Sequence, residues 1–159
     1  SEMCIRDSAR IPHSFELADE AGMKFSFDHV ELVDAHPNTV KLNLTGVNGS
    51  VLEVVAASIG GGRIRVCEID GLPANFEGDY PTLIVRNIDQ PGHVMEVTAM
   101  LGHKGVNIAT LQLFRQSRGG QAAMVIECDQ EVPAESIKWL SRQEGIVKVT
   151  YLSQAQRED

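Results

Sequence analysis

The chain has 159 residues, of which 43% are hydrophobic and 14 are glycine, and it carries a formal net charge of −8 from 22 acidic and 14 basic residues. This composition permits a packed core and argues against disorder, and the sequence has no basic cluster of the kind that nucleic-acid binding requires. No apolar run approaches the roughly 20 residues that span a bilayer and no signal peptide is recognisable, so we expect a cytoplasmic protein with no membrane role.

The first eight residues, SEMCIRDS, do not fit the pattern that follows them. They resemble the translated form of a transposase adaptor used in sequencing-library preparation. We therefore expect residues 1–8 to be an assembly artefact and exclude them from the prediction of the fold. The natural chain would then extend further upstream.

Residues 9–79 combine one helical pattern with several strand patterns. Apolar residues at Ile11, Phe15, Ala18 and Ala21 share one helix face and predict a helix that ends at Gly22. Four strands are predicted after it, in the segments MKFSFDHV, TVKLNLTG, VLEVVAASI and RIRVCEI.

Turn-forming residues separate these strands. Asn48-Gly49 indicates a type I′ hairpin turn. The Gly60–Gly62 run precedes a strand rather than a helix, so it predicts a hairpin or bulge and not a phosphate-binding loop. The segment DGLPANFEGDYP, residues 70–81, is predicted to be a linker between two domains.

Residues 80–153 show a regular alternation of elements. The predicted order is strand, helix, strand, strand, helix, strand, at residues 82–87, 92–104, 107–116, 121–128, 133–142 and 146–152. The predicted buried face of the first helix includes Val94, Val97 and Leu101, and that of the second includes Ile137 and Leu140. This βαββαβ order predicts a ferredoxin-like unit, with two helices on one face of an antiparallel sheet.

Three cysteines, Cys4, Cys67 and Cys128, lie far apart and form no CxxC pair. A disulfide framework or a metal site made by this chain alone is therefore not expected. Cys67 and Cys128 lie in strand-like runs, where a cysteine typically serves as a small buried hydrophobic residue. His93 and His103 are ten residues apart, so on a helix they differ by about 280° and cannot share a metal.

Residues 80–153 resemble the ACT domain, a regulatory module that binds amino acids. The resemblance rests on DQPG at the first helix, GVNIA at the second strand, GGQAAMVIECD across the hairpin and EGIVKVTYL at the end. It implies that two copies pair side by side. It also implies that an amino acid lies between the first strand-to-helix loop of one copy and the helix of another.

The preceding part resembles a second known module. DAHPNTVKLNL followed by ASIGGGRIRVCEIDG is similar to the end of the allosteric-substrate-binding-like domain of bacterial iron–sulfur L-serine dehydratases. Residues 10–153 as a whole resemble the beta chain of the two-chain form of this enzyme, an L-serine ammonia-lyase that produces pyruvate and ammonia. The Gly-Pro-Ser-Ser-Ser-His-Thr stretch with which the family's beta chain normally starts is not present.

This resemblance implies an α+β protein. A partial α/β substrate-binding-like domain at residues 9–79 would be followed by a ferredoxin-like βαββαβ ACT domain at residues 80–153 and by a tail at residues 154–159. The implied partner is a catalytic alpha chain that holds a [4Fe-4S] cluster, with no cofactor bound by this chain. L-serine or a related amino acid is the implied small-molecule ligand.

The strand-to-helix segment NIDQPGH is the main candidate for a ligand site. A helix start offers free N–H groups to a carboxylate, Gly92 permits close approach, and Asp89 has the charge to attract an ammonium group. The alternative, favoured by the residue types alone, is that Asp89 and Gln90 only cap the helix, with Pro91 in its first turn; the resemblance favours the ligand site.

Four further residues are weighed as polar contacts. His93 and Asn107 are assigned to the same ligand site; the alternatives are a surface histidine and a turn asparagine. His36 and Asn38 are candidates at a face toward the catalytic chain, with Asn38 as a turn former as the alternative.

No catalytic set of residues is recognisable in the sequence, so activity of this chain alone is uncertain. The leading hypothesis is an accessory and regulatory chain of L-serine ammonia-lyase. A regulatory C-terminal region of a 3-phosphoglycerate dehydrogenase is the first alternative, because that enzyme uses the same two modules. A free-standing amino-acid-binding ACT protein is the second.

Overall fold

The computed structural model describes residues 11–30 and 37–154. Contacts divide the chain into two compact units, Ser1–Asp34 and Ala35–Asp159, which are treated separately. The adaptor-like residues 1–8, His36 and residues 155–159 of the predicted tail lie outside the described residues. The domain boundary predicted between residues 79 and 80 lies within the second unit and stays a prediction.

The first unit contains one short helix, α1, at Ser14–Glu20, preceded by a 3-10 turn at Ile11–His13. Gly22 ends the helix with φ of +74°, and the Gly22 and Met23 amides donate to the carbonyls of Asp19 and Ala18, both at 2.8 Å. These two bonds form a Schellman motif, which satisfies carbonyls that have no partner inside the helix. The predicted helix and its glycine stop are therefore confirmed.

The strand predicted at residues 23–30 is wrong, because no strand is assigned there. The alternation that predicted it has a different origin: the rings of Phe25 and Phe27 pack on Phe15, with centroid distances of 5.1 and 5.7 Å. A strand needs a neighbour to bond its backbone groups, whereas an aromatic cluster forms without one.

The second unit consists of two antiparallel four-stranded sheets and two helices. The first sheet has the order β1-β2-β3-β4, with strands Thr39–Thr45, Val51–Gly60, Arg63–Ile69 and Leu72–Phe76. The second sheet has the order β6-β7-β5-β8, with strands β5 (Thr82–Ile88), β6 (Ile108–Arg115), β7 (Gln121–Cys128) and β8 (Ile146–Leu152). Helix α2 (His93–His103) follows β5 in the chain, and helix α3 (Ala134–Leu140) follows β7. The α+β class and the βαββαβ order are confirmed.

The linker predicted at residues 70–81 is wrong in its first half, because β4 occupies Leu72–Phe76. Asp70 and Gly71 have φ of 49° and 76°, as a two-residue type I′ turn requires. Alternate residues of β4 are buried, and Pro73 is tolerated because β4 is an edge strand that need not donate on both sides.

The hairpin between β1 and β2 is confirmed, but not as the predicted type I′ turn. Only Gly49 in this loop has a positive φ, of 77°. Gly49 donates to the Gly46 carbonyl at 2.9 Å and the Gly46 amide donates to the Ser50 carbonyl at 2.8 Å. Asn48 instead accepts from the Ser50 amide at 3.0 Å, so the loop is a type I turn followed by a left-handed glycine.

Cys128 is fully buried as predicted, whereas Cys67 is exposed. The reason is a bulge: Ala56 pairs with Val66 and Val55 pairs with Glu68, which leaves Cys67 as the extra residue of β3. A bulged residue opposes no partner and its neighbours keep their faces. Cys67 therefore turns outward, while Val66 and Ile69 of the same strand are buried.

The second sheet is covered on both faces. One core lies between this sheet and the helices, and its central residues include Leu83, Val97, Leu101 and Ile126. The other core lies between the two sheets, where Ile84 and Val125 pack with Phe76 and Ile69. This two-sided burial explains why β5 and β7 are nearly continuous apolar runs.

The buried face of α2 differs from the prediction by a small rotation. Its buried residues are His93, Val97, Met100 and Leu101, whereas Val94 is 39% exposed. On α3, Leu140 is buried and Trp139 is 45% exposed. The rotation arises because a histidine, which the apolar pattern does not count, begins the buried stripe.

A charged cluster joins the two sheets at Asp70. Its Oδ1 accepts from the Glu53 amide at 3.0 Å, and its Oδ2 accepts from Lys148 of β8 and lies 3.6 Å from Arg86 of β5. Lys148 also donates to the Val51 carbonyl at 2.8 Å. Burial opposes the ionised form, but the hydrogen bonds and the two cations outweigh it, so the pKa of Asp70 lies below its ordinary value.

We expect Asp70→Asn to lower the free energy of unfolding at pH 7 by about 1–3 kcal/mol, because Lys148 and Arg86 lose their carboxylate while asparagine still tolerates the left-handed backbone. Because the pKa of Asp70 is lowered in the folded state, its carboxylate stabilises the protein fully at pH values above the ordinary pKa of 3.8. This stabilisation is lost as the pH falls through the lowered pKa of the folded state. Denaturant unfolding at pH 7 and pH 3 measures both effects.

The control is Arg63→Gln, which removes an ion pair with Glu77 from a side chain that is 64% exposed. It should change stability by less than about 0.5 kcal/mol. Equal effects of the two substitutions would contradict the role given to Asp70.

We also expect amides of β1 to exchange with deuterium faster than those of β5 and β7. β1 is an edge strand whose Val40, Leu42 and Leu44 are 43–54% exposed, whereas β5 and β7 lie in the middle of a covered sheet. Mass spectrometry of peptides from the two sheets tests this, and equal protection would refute it.

Candidate functional site

Asp89 fastens the loop between β5 and α2 to the tip of the β6–β7 hairpin. Its Oδ2 accepts from the Gly119 amide at 3.1 Å and lies 3.4 Å from the Arg115 guanidinium, and its own amide donates to the Gly120 carbonyl at 2.8 Å. Both side-chain contacts use the same oxygen. Oδ1 has no recorded partner among the described residues, so it remains available to an ammonium group.

Gly92, with φ of 106°, is the N-cap of α2, and α2 begins at His93. The predicted cap at Gln90 is therefore wrong. Gln90 instead donates its amide to the Ile88 carbonyl at 2.8 Å in a tight turn. In the part of the chain that the structure describes, no side chain caps α2, so its first N–H groups have no side-chain acceptor at the positive end of the helix dipole.

His93 is buried, with 8% of its surface exposed, so the expectation of a surface histidine is wrong. Its Nδ1 lies 3.7 Å from Glu96, and its Nε2 is buried with no hydrogen-bond partner among the described residues. The ring fills space beside Gly145 in the loop before β8, where an added Cβ would lie 2.5 Å from Nε2. His93 thus packs under the candidate loop rather than pointing out of it.

Asn107 lies at the opposite end of the sheet from Asp89. Ile88 pairs with Gln121 at the start of β7, whereas Ile108 pairs with Cys128 at its end, which separates the two ends by about 23 Å at the rise of an antiparallel strand. The Asn107 side chain donates to Asp129 Oδ2 at 2.6 Å, and its backbone amide donates to Gln130 Oε1 at 2.7 Å. One copy therefore cannot bring Asp89 and Asn107 to the same amino acid.

The second predicted face is only partly described. His36 lies outside the described residues, and Asn38 is an exposed turn residue whose carbonyl accepts from the Ser58 amide at 2.9 Å. The contacts of Asp89 with Arg115 and Gly119, and of His93 with Gly145, were not predicted. They join positions more than twenty residues apart, and no spacing pattern marks them.

Among the described residues of the second unit, the pKa values of a thiol and a phenol are raised. Burial raises the pKa of the Cys128 thiol to about 11, with the charge of Asp129 adding to the effect. Burial and the hydrogen bond to Glu131 raise the pKa of Tyr151 to about 12. Cys67 and Cys128 lie in different sheets, and no group of three metal-binding side chains occurs within residues 11–30 and 37–154. The described cysteines do not fit a cluster.

The geometry defines a class of protein: a ferredoxin-like sheet with an open strand-to-helix loop, packed on a second antiparallel sheet. No helix in the described ranges has the length and apolar character needed to cross a membrane. No protein-family model matches the chain.

Curated relatives give a more particular identification. The chain is 30% identical over 144 residues to a probable L-serine dehydratase beta chain of Bacillus subtilis, covering 91% of this chain and 65% of the relative. It is 33% identical over 133 residues to the L-serine dehydratase beta chain of Peptoniphilus asaccharolyticus, covering 83% of this chain and 60% of the relative. The resemblance to L-serine dehydratase beta chains is thus confirmed, and the chain spans less than two thirds of either relative.

A second group of relatives shares the same region as part of longer proteins. The chain is 30% identical over 136 residues to D-3-phosphoglycerate dehydrogenase of Bacillus subtilis, which covers 84% of this chain but 25% of the relative. The chain therefore matches about a quarter of this dehydrogenase.

We expect Gly145→Ala to destabilise the second unit more than Gly105→Ala does. Both glycines have a positive φ, of 78° at Gly145 and 70° at Gly105. An added Cβ would contact the His93 ring at Gly145, whereas at Gly105 it would meet open space. Because the His93 ring is buried, overpacking should add about 1–3 kcal/mol to the cost of backbone strain. Urea unfolding of the two variants measures the difference, and equal losses would contradict the packing of His93 on Gly145.

Proposed function

We propose that this chain is an accessory and regulatory beta chain of an iron–sulfur L-serine ammonia-lyase, in which the bond-breaking chemistry belongs to a separate alpha chain. The observation that carries the proposal is the similarity to two L-serine dehydratase beta chains over 91% and 83% of this chain. The ionisable groups agree with it, because the described residues offer a ligand loop but no poised nucleophile. We place the protein in the cytoplasm and the [4Fe-4S] cluster in the alpha chain.

The first sheet is the proposed docking surface for the alpha chain. Val40, Leu42 and Leu44 lie on the face of β1 that continues the core between the two sheets, since their pairing partners on β2 include Ala56 and Val54. These three side chains are 43–54% exposed. Exposed apolar surface next to an unpaired strand edge is typical of a surface that binds a protein partner.

The loop between β5 and α2 is the proposed effector site. An amino acid would place its carboxylate at the uncapped start of α2 beside Gly92 and its ammonium at Asp89. The separation of Asp89 from Asn107 supports a site shared between two copies, in which Asn107 comes from the second copy. Self-association through the ACT-like sheet then belongs to the function.

The dehydrogenase relatives support a second candidate. If the natural chain carried an NAD-binding module upstream, this region would be the regulatory end of a 3-phosphoglycerate dehydrogenase. The coding sequence upstream decides between the two: a GxGxxG segment between a strand and a helix favours the dehydrogenase. A neighbouring gene for a cysteine-bearing partner favours the dehydratase.

Reconstitution with the alpha chain tests the main proposal. We expect the natural full-length form of this chain and an alpha chain, prepared anaerobically, to release pyruvate from L-serine only when combined. The triple variant Val40→Ser, Leu42→Ser, Leu44→Ser should weaken complex formation, because it removes apolar contact area. Full activity of the alpha chain alone would overturn the proposal, and unchanged affinity of the triple variant would overturn the docking surface.

Mixing two variants tests whether the effector site is shared. We expect Asp89→Ala and Asn107→Ala each to abolish amino-acid binding in calorimetry. In a two-fold dimer, random mixing of the two variants makes half of the dimers mixed, and each mixed dimer has one intact site, so about a quarter of the sites should return. No recovery after mixing would contradict a shared site. Binding of L-serine by either variant alone would contradict the assignment of the residue that it lacks.

A further inference from the structure

The two helices enclose a groove that is separate from the effector loop. Its volume is about 550 Å³, which lies in the range of small-molecule sites. α2 contributes residues spaced by three and four positions, including Glu96, Ala99 and Met100, and α3 contributes Ser136 and Trp139. The groove exists because the small side chains of Ala99 and Ser136 leave room between the helices.

An ion pair bridges the groove between the end of α2 and the start of α3. Lys104 at the end of α2 donates to Glu135 at the start of α3 at 2.7 Å, which joins the helices there. Glu96 lies about 12 Å along α2 from Lys104, and Trp139 lies about one turn along α3 from Glu135. A molecule the length of an arylalkylamine fits within this distance.

The charges of the groove favour a cation. Lys104 is paired with Glu135, whereas among the described residues Glu96 has an ion-pair contact with the His93 ring alone, at 3.7 Å; that ring, and the His103 ring that also lines the groove, is charged only when protonated. One carboxylate is therefore in excess on the rim, in a chain with a net charge of −8. Trp139, which also lines the groove, is 45% exposed, and an indole face attracts an ammonium group.

Ser136 supplies an independent sign of a ligand. It is 2% exposed, and its Oγ is buried without a hydrogen-bond partner among the described residues, yet Ser136 lines the groove. A buried hydroxyl without a partner is unfavourable, and rotation of the Ser136 side chain would turn Oγ into the groove, where a polar atom of a bound molecule would satisfy it. Met100, which is 8% exposed, supplies apolar contact next to it.

We propose that this groove binds a small primary amine with a flat apolar body and one hydrogen-bonding group. The ammonium lies between Glu96 and Trp139, the apolar body covers Ala99 and Met100, and the hydrogen-bonding group meets Ser136 Oγ. This site is independent of the amino-acid site at Asp89.

Trp139 is the single tryptophan of the chain, so its fluorescence reports on the groove directly. Titration with tyramine should give a saturable change, and 3-(4-hydroxyphenyl)propionate, which has the same body with a carboxylate, should give none. Phenethylamine, which lacks the hydroxyl, should bind more weakly than tyramine. Equal responses to the amine and the carboxylate, or no saturable change with tyramine, would overturn the proposal.

Four variants locate the binding. Glu96→Gln should weaken tyramine binding about fivefold, the scale of one exposed ion pair. Ala99→Leu should abolish it by filling the groove, and Ser136→Ala should remove the preference for tyramine over phenethylamine. Ala134→Leu, the same change at an exposed α3 position that does not line the groove, should have no effect.

Circular dichroism confirms folding of each variant. Normal tyramine binding by folded Ala99→Leu would overturn the proposal. Loss of tyramine binding in Asp89→Ala would also overturn it, because the amine would then belong to the effector loop.

Discussion

Burial of the second sheet on both faces is the constraint on which the rest of this structure depends. β5 and β7 carry apolar residues on each side, so the sheet is stable only when the helices cover one face and the first sheet covers the other. Asp70, in a turn of the first sheet, links the two sheets because its carboxylate contacts Lys148 and Arg86 of the second sheet. The two sheets therefore form one packed unit.

The same packing sets what the candidate site can do. β5 is fixed by its neighbours, so the loop at its end is held at one place by Asp89 and by His93, which packs under it on Gly145. The start of α2 is left without a cap and open to an anion. Asn107 is just as firmly held at the other end of β7. Because Asp89 and Asn107 lie at opposite ends of one sheet, the proposed effector site takes one of them from each of two copies.

The fold of residues 80–153 was predictable because its central strands are continuous apolar runs and its turns carry glycine and proline. The strand after Asp70-Gly71 was missed because Pro73 concealed an alternating pattern, although Asp-Gly is itself a strong hairpin signal. The only sign of the bulge at Cys67 in the sequence is that the alternation of apolar and polar residues along β3 is shifted by one position there. The positions of Asp89 and Gly92 in a strand-to-helix loop were predictable from the residue types around them. The burial of His93 was not, because it depends on packing against Gly145, more than fifty residues away.

The proposed function has three parts: the strand-to-helix loop binds an effector, the first sheet binds the catalytic chain, and the bond-breaking reaction occurs in that catalytic chain. Hydrogen exchange on the reconstituted two-chain complex, with and without L-serine, tests it most directly. Complex formation should protect β1, and L-serine should further protect the amides of residues 89–95 and the start of β6. An unchanged pattern at both places, or protection by L-serine confined to the alpha chain, would contradict the account.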